Sequence, residues 1–494
     1  MNGAELLLGA DALARHGSRT ALICDEERVS FAELAGRVGA AAGVLEDLGL
    51  RPGERLLILM RDTPDMAVAW LAALRIGAVA VALNPKLAAS ELQHVAEDSS
   101  ARLAIVDECL AASPFSAIAE ITASEFRVRA QRRAAAPALP LAAEAPAFML
   151  YSSGTTGHPK GIVHAHRSIA AVGGAFRRIG IGAGDCVLTT SKHFFAYGLE
   201  HGLLATLAAG AASVLHPDWP DAGAVIELVS RHRPAAMFSV PTIYRRLLAE
   251  PRASLAPLRS VRRFVSAGER LSRPLVEQWQ SAVGAELLNL YGMSETFCAC
   301  MMTPPGTSDG LRTGVPFDTI DVELRDARGD PPLPGEPGIL WVRHPAQASG
   351  YANLPRESQA QFRDGWFCSR DLFSRDAEGH YIHQGRTDEL VKIAGQWVHP
   401  GELEEIAALE TAVSEAACVP VPDADGLERL ALFVTAKVAA GEAERAVREA
   451  CERLPRHKRP KWVRAVEELP RTATGKVQRY KLREILAREL AAKD

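Results

Sequence analysis

The sequence predicts an α/β protein. It has a large N-terminal domain of parallel-rich sheets flanked by helices, a small β-barrel-like subdomain, and a small α+β C-terminal domain. Three observations carry this. The chain has 494 residues, more than one hydrophobic core usually serves. Short β-rich runs alternate with amphipathic helical stretches over most of the length, which is the grammar of parallel sheets covered on both faces. The alternation then stops, first at strands flanking a Pro/Gly loop and again near residue 388, where a shorter α+β pattern begins.

In chain order, a helical pattern at 31–48 leads into a short apolar strand candidate at 55–60. Similar strands are predicted at 79–84, 102–107, 186–191, 235–240, 262–266 and 286–290. Helices are predicted between them at 67–76, 90–97, 168–178, 223–231, 243–250 and 272–282. The Ala/Arg-rich stretch 127–145 reads as a surface connection. Strands at 320–325 and 339–342 are joined by PPLPGEPG, a loop rich in turn residues, so this part reads as antiparallel. The tail supplies pieces at 402–409, 415–421, 430–438, 443–452, 462–466 and 481–489. The boundary falls at GRTDEL, giving domains 1–387 and 388–494.

Composition narrows the function. With 48% hydrophobic and 23% charged residues, the chain reads as an ordinary globular protein. A net charge of −4 with no basic stripe argues against nucleic acid as a partner. No apolar stretch reaches 18 residues, and the first residues lack a basic n-region, so neither a membrane span nor an export signal is expected. Eight cysteines lie scattered without a CxxC pair, as expected of reduced thiols in a cytoplasmic enzyme.

Four segments carry chemistry. YSSGTTGHPKG (151–161) follows an apolar run and cannot pack a core. Its glycines, hydroxyls and single lysine can surround phosphate with N–H groups and one cation. It is not a Walker A loop, because Gly157 is followed by His-Pro-Lys-Gly. YGMSE (291–295) closes a predicted strand and sets a hydroxyl beside a carboxylate, a pair suited to a phosphate oxygen and its Mg²⁺. The stretch 365–404 is dense in Gly, Asp and Arg, with Asp371 a candidate for a ribose diol and Arg386 for a second polar group. LPRTATGKVQR (469–479) presents Lys476 on a turn of small residues.

Together these segments resemble the acyl-adenylate-forming, or AMP-binding, superfamily over essentially the whole chain. SSGTTGHPKG, YGMSE, GWFCSRD, GRTDELVKIAG and PRTATGK stand in that family's order. KHFFAYGLEHGLLATLAAGA (192–211) resembles the benzoate-CoA ligase and related aryl-CoA ligase branch. The resemblance implies that Ser152, Ser153, Gly154, Thr155, Thr156 and Lys160 hold the ATP phosphates. Ser294 would contact the α-phosphate, where threonine is more usual, and Glu295 would hold Mg²⁺. Ala267, Gly268 and Glu269, with Asn289, Tyr291, Gly292 and Met293, would line the adenine and acyl pockets, and Asp371 and Arg386 would bind ribose. Phe194, Phe195, Ala196, Tyr197 and Cys298 would enclose the acyl group. Lys476 would be the catalytic lysine of a mobile small domain, Asp388 its hinge, and Lys392 and Gly395 part of the tunnel for the thiol's pantetheine arm.

The implied reaction joins a carboxylic acid to a thiol. Attack of the carboxylate on the α-phosphorus of ATP gives an acyl-AMP and pyrophosphate, and a thiolate then displaces AMP. The first step crowds negative charge, so catalysis rests on positioning and cationic stabilisation. ATP, Mg²⁺ and coenzyme A are expected, with an acyl carrier protein as the alternative acceptor and a monomer or homodimer as the assembly. Aromatic side chains beside small residues suit a planar acid. Two departures from the benzoate branch, Glu200 where glycine is usual and Cys298 where histidine is usual, set plain benzoate in doubt and point to a pocket of different shape.

Overall fold

Runs such as Val79–Ala82 and Leu103–Val106 are fully buried, as strands covered on both faces must be. The structure, a computed structural model, describes residues 1–110, 115, 118–153, 159–393, 395–423, 426–471 and 477–491. The chain divides into two compact units. One comprises Met1–Glu336, Leu340–Ser369 and Arg375–Ile382; the other comprises Pro337–Ile339, Arg370–Ser374 and His383–Asp494.

Among the described residues, the first unit contains two large mixed sheets. In the nine-stranded sheet, Leu287–Tyr291, Arg263–Ser266, Ala236–Ser239, Cys186–Thr189, Ala212–Leu215 and Thr20–Cys24 run parallel in that order. The strand Cys186–Thr189 has its sequence successor Ala212–Leu215 on one side and Ala236–Ser239 on the other. The order therefore reverses there, which opens a crevice beyond the carboxyl ends of these strands. The seven-stranded sheet carries Pro146–Ser153 antiparallel to Pro159–Ala165, with Ser152 opposite Lys160. Helices cover both sheets. Below the first, Trp279 meets Tyr244 and Phe264 edge-on at 4.8 and 4.9 Å. The predicted antiparallel part forms a five-stranded sheet in which Asp321–Arg325 neighbours Gly338–Arg343.

Three local readings differ from expectation. The helix predicted at 168–178 is two pieces, Arg167–Ala170 and Gly174–Ile179, because Gly173 turns left-handed at φ +88°. Part of the expected surface connection 127–145 belongs to the helix Ala123–Gln131, capped by Thr122 and anchored by buried Phe126. The strands Thr20–Cys24 and Glu27–Ser30, not expected from sequence, form one edge of the large sheet.

The second unit packs helices on a sheet of Val413–Pro422, Glu428–Ala436 and Trp462–Val466. Val391–Ile393 and Gln396–Val398 make a hairpin whose turn needs Gly395 at φ +84°. No helix among the described residues is long and apolar enough to cross a membrane.

Candidate active site

The switch point explains why dispersed motifs meet. The segments 190–198, 240–242, 267–269 and 291–296 all follow the carboxyl ends of adjacent parallel strands. Each loop emerges there because its strand stops, so short polar and glycine-rich residues gather on one rim. Gly268, at φ +84°, is exposed on that rim, and half-buried Glu269 accepts from Thr242 Oγ1 at 3.1 Å. Ala267 N–H donates to Ser239 O at 3.2 Å, tying two of the loops together. The Asn289 amide donates to Arg312 O at 3.4 Å, and Cys300 N–H donates to Tyr291 O at 2.8 Å. A Cβ at Gly292 would lie 3.0 Å from Ala299 Cα, tight against the backbone of the turn that follows.

The hydroxyl–carboxylate pair is held from behind. Tyr351 donates its O–H to Glu295 Oε1 at 2.9 Å, and Ala348 N–H donates to Glu295 O at 2.8 Å. Lys160 Nζ stands 6.0 Å from the centre of the Tyr351 ring, so the predicted phosphate-loop lysine and the predicted metal carboxylate share one neighbour. His164 is fully buried, stacked on Phe148 at 4.9 Å, with Nε2 2.9 Å from Ser294 O and Nδ1 3.3 Å from Ala346 O. Burial pulls His164 down to about 4, so the ring is neutral near pH 7 and works as a brace under Ser294 rather than as an acid. Ser152 faces Lys160 across the strand pair, and Ser153 pairs with Pro159 through its backbone. Gly154, Thr155 and Thr156 lie outside the described residues, as does Lys476.

The aromatic segment divides its work. Buried Phe194 packs on Phe195 with ring centres 4.4 Å apart and on Trp219 at 6.0 Å. Tyr197 instead donates its O–H toward the strand-end carbonyls of Ser239 and Val265, at 3.3 and 3.2 Å. Ala196 is half-buried beside it. From Leu199 to Leu204 the helix widens to a π-turn that carries Glu200 inward, a distortion often found at functional sites. Ala299 N–H donates to Glu200 Oε2 at 3.0 Å, and buried Cys298 Sγ lies 3.9 Å from Ser168 O. Met293 is half-buried on the same turn.

Beneath this segment, the backbone N–H of His193 contacts both carboxylate oxygens of Asp62 at 3.3 Å, and Lys192 Nζ lies 3.9 Å from the same group. Asp62 follows the strand Arg55–Leu59 of the other sheet, so a buried ionic contact anchors the aromatic segment across the two layers. Tyr351, His164 and Asp62 were not singled out by sequence reasoning. His164 lies beside a quoted motif, but its contact with Ser294 spans 130 residues, and that of Tyr351 with Glu295 spans 56.

In the second unit, Asp371 is buried, with Arg386 Nη1 at 3.5 Å and His383 Nε2 at 3.4 Å from Oδ1. Arg386 also grips Asp388 through Nε and Nη2 at 2.9 and 3.1 Å, so the predicted ribose pair and the predicted hinge form one ionic string. A cavity of about 370 Å³ has Asp388, Glu389, Lys392, Cys418, Arg479 and Arg483 in its walls. Arg479 crosses to Glu404. Lys392 is exposed.

Comparison with known proteins agrees with this architecture. Residues 10–352 match the AMP-binding enzyme family and 402–476 match the AMP-binding enzyme C-terminal domain. A 3-hydroxybenzoate–CoA/4-hydroxybenzoate–CoA ligase of Thauera aromatica is 38% identical, covering 98% of this chain and 97% of that protein. A benzoate–CoA ligase of the same organism is 34% identical over 98% and 95%. The crystal structure of a benzoate CoA ligase from Burkholderia xenovorans LB400 superposes with a TM-score of 0.89 at 33% identity, covering 98% and 100%.

Proposed function

The chain belongs to the AMP-binding enzyme family, in its aryl-CoA ligase branch, and from that premise we propose that it activates a ring-substituted aromatic carboxylic acid as acyl-AMP and transfers the acyl group to coenzyme A. It is an AMP-forming acid–thiol ligase that uses ATP and coenzyme A. The observation that carries this reading is end-to-end similarity to hydroxybenzoate and benzoate ligases, joined to an aromatic segment set at the sheet's switch point. A carrier-protein thiol is not favoured, because these full-length relatives are CoA ligases.

The chain's own residues divide the task by position. The acid lies flat against Tyr197 and Ala196, with Gly292 giving it room to approach the 291–296 loop. Its carboxylate oxygen attacks the α-phosphorus in line with departing pyrophosphate. Lys160 and the loop 152–156 hold the phosphates, and Ser294 steadies an α-phosphate oxygen through a turn fixed by His164. Glu295 fits a Mg²⁺ site: one oriented carboxylate beside substrate phosphates is the usual donor set for that ion, and Tyr351 O–H fixes it at 2.9 Å. When bound, Mg²⁺ would neutralise charge on the phosphates. Lys476 adds a cation to the adenylation step, Asp371 and Arg386 hold the ribose, and Lys392 and Gly395 border the path of the thiol. The domains 1–387 and 388–494 turn about Asp388 between the two half-reactions.

The test is pyrophosphate release across benzoate, hydroxy- and aminobenzoates, naphthoates, hexanoate and palmitate, with coenzyme A consumption measured alongside. A substituted aryl acid should give the highest kcat/KM. If palmitate wins, the aromatic reading is wrong.

A further inference from the structure

Four carboxylates are buried among the described residues: Asp62, Glu200, Asp371 and Asp423. Three of them have a cation at hand. Asp62 has Lys192 at 3.9 Å, Asp371 has Arg386 at 3.5 Å, and Asp423 has Lys461 at 3.0 Å. Among the described residues Glu200 has no Lys or Arg within ion-pair distance: Arg177 acts on it only from farther away, and His201 Nδ1 lies at 3.5 Å. That nitrogen faces Tyr197 O at 3.1 Å, and burial keeps the ring neutral near pH 7. A carboxyl group removed from water without a cation in contact is expensive to keep, so its retention asks for a use.

Its surroundings suggest one. Glu200 lies three residues after Tyr197, where the short α-helical turn passes into the π-turn. Aromatic rings pack beside it: His201 stands 5.0 Å from Tyr197 and 4.6 Å from Phe238, centre to centre. On the far side the carboxyl group takes the Ala299 N–H at 3.0 Å. Ala299 is the residue whose Cα lies 3.0 Å from where a Gly292 Cβ would be. The carboxyl group thus lies between the Tyr197 segment and the 291–299 turn, the two elements proposed to border the acyl group. A carboxyl oxygen carries two lone pairs, so acceptor capacity remains beyond the Ala299 N–H.

We propose that Glu200 is a specificity residue that accepts a hydrogen bond from an O–H or N–H substituent on the ring of the substrate acid. The preferred substrates are then hydroxy- or amino-substituted aryl acids, and rings without a donor are the poor ones. A site built around a buried acceptor rejects a ligand that leaves it unpaired far more strongly than an apolar pocket rejects an extra group. This inference rests on the aryl-CoA ligase reading.

The experiment measures kcat/KM for pyrophosphate release with benzoate, the three hydroxybenzoates and the three aminobenzoates, in wild type, Glu200→Ala and Glu200→Gln. Wild type should favour at least one donor-bearing acid over benzoate by 10-fold or more. Glu200→Ala should cut that ratio by about 10-fold, the upper end of the usual worth of a neutral hydrogen bond, while benzoate is turned over as well as before or better. Glu200→Gln keeps an oxygen for the Ala299 N–H but offers an amide N–H₂. A hydroxyl can rotate to accept from it and an amino group cannot, so this variant should lose aminobenzoates more than hydroxybenzoates. If Glu200→Ala does not fold, the aminobenzoate-to-benzoate ratio of Glu200→Gln decides. Ratios within threefold of wild type in the folded variants, or a wild type that favours benzoate, overturn the assignment. In either case the ligase reading stands. A wild type that activates no aryl acid overturns the ligase reading, and this assignment with it.

Discussion

Replacing Glu200 with glutamine should stabilise the protein increasingly as pH rises. Burial, the largest cause, pushes this carboxyl group from 4.5 up to about 8. In the unfolded chain it titrates near its ordinary value. Between those two points the folded protein holds a proton that the unfolded chain has released. The group's contribution to stability is therefore fully present below pH 4.5, falls as pH climbs through the window, and is lost above about 8. At about 1.4 kcal/mol per pH unit, the whole excursion is roughly 5 kcal/mol, and with the residue at 2% exposure solvent screens little of it. Glutamine does not titrate, so the variant lacks this slope. The neighbours do not imitate the effect. His201 is held down to about 4 in the folded state, and Cys298 is pushed well above its ordinary range. The contribution of His201 is common to both proteins and cancels in the difference. Urea unfolding of wild type and Glu200→Gln at pH 5, 6, 7 and 8 gives that difference. It should move by several kcal/mol in favour of the variant between pH 5 and 8. A difference constant to within about 0.5 kcal/mol would mean that the buried carboxyl carries no proton, and the reasoning fails.

Three further outcomes are expected. Tyr351→Phe removes the O–H that orients Glu295; acyl-AMP formation should fall about 10-fold at limiting Mg²⁺ and recover at high Mg²⁺, and an unchanged Mg²⁺ titration would count against Glu295 as the metal residue. Lys476→Ala should lower acyl-AMP formation by about 10²–10³-fold through the loss of a cation at developing phosphate charge, yet largely spare thioester formation from pre-made acyl-AMP; equal loss in both half-reactions refutes the assignment. Asp388→Pro fixes φ near −65° at the proposed hinge; in single-turnover assays it should leave acyl-AMP formation within about tenfold of wild type and slow thioester formation far more, and slowing of both steps alike, or of neither, places the pivot elsewhere.

What could be read from the sequence follows from how local each signal is. Strands such as Val79–Ala82 and Ala236–Ser239 are short apolar runs buried on both faces, so composition alone marks them. The break at Gly173 is a local matter too, but a glycine inside a helical pattern does not reveal whether it will take a positive φ. The motif order gave the family because each motif is contiguous. What joins the motifs is not contiguous: the contacts of His164 with Ser294 and of Tyr351 with Glu295 exist only once strands far apart in sequence have paired. Glu200 lies between these cases. Its position after the aromatic segment was visible, but its burial was not, because that depends on a backbone N–H 99 residues away.

The aromatic segment shows why such residues can mislead when read as a block. FFAYGLEHG looks like a pocket lining made of flat rings and small residues, yet its glycines are needed for packing. A Cβ at Gly198 would come within 2.2 Å of Lys192 O, and one at Gly202 within 2.4 Å of Thr189 Cγ2. The chain must therefore fold back tightly on itself as it leaves the strand Cys186–Thr189. That fold-back turns Phe194 toward Trp219 and Tyr197 toward the neighbouring strand ends. With these directions set, the helix that follows reaches the 291–299 turn, and Glu200 is the side chain that meets it. The glycines specify the tight reversal, the reversal positions the π-turn, and the π-turn brings a carboxyl group to a wall that would otherwise be apolar. Substituting Gly198 should therefore disturb ring recognition through Glu200 before it disturbs the phosphate-binding loop, which hangs from the other sheet.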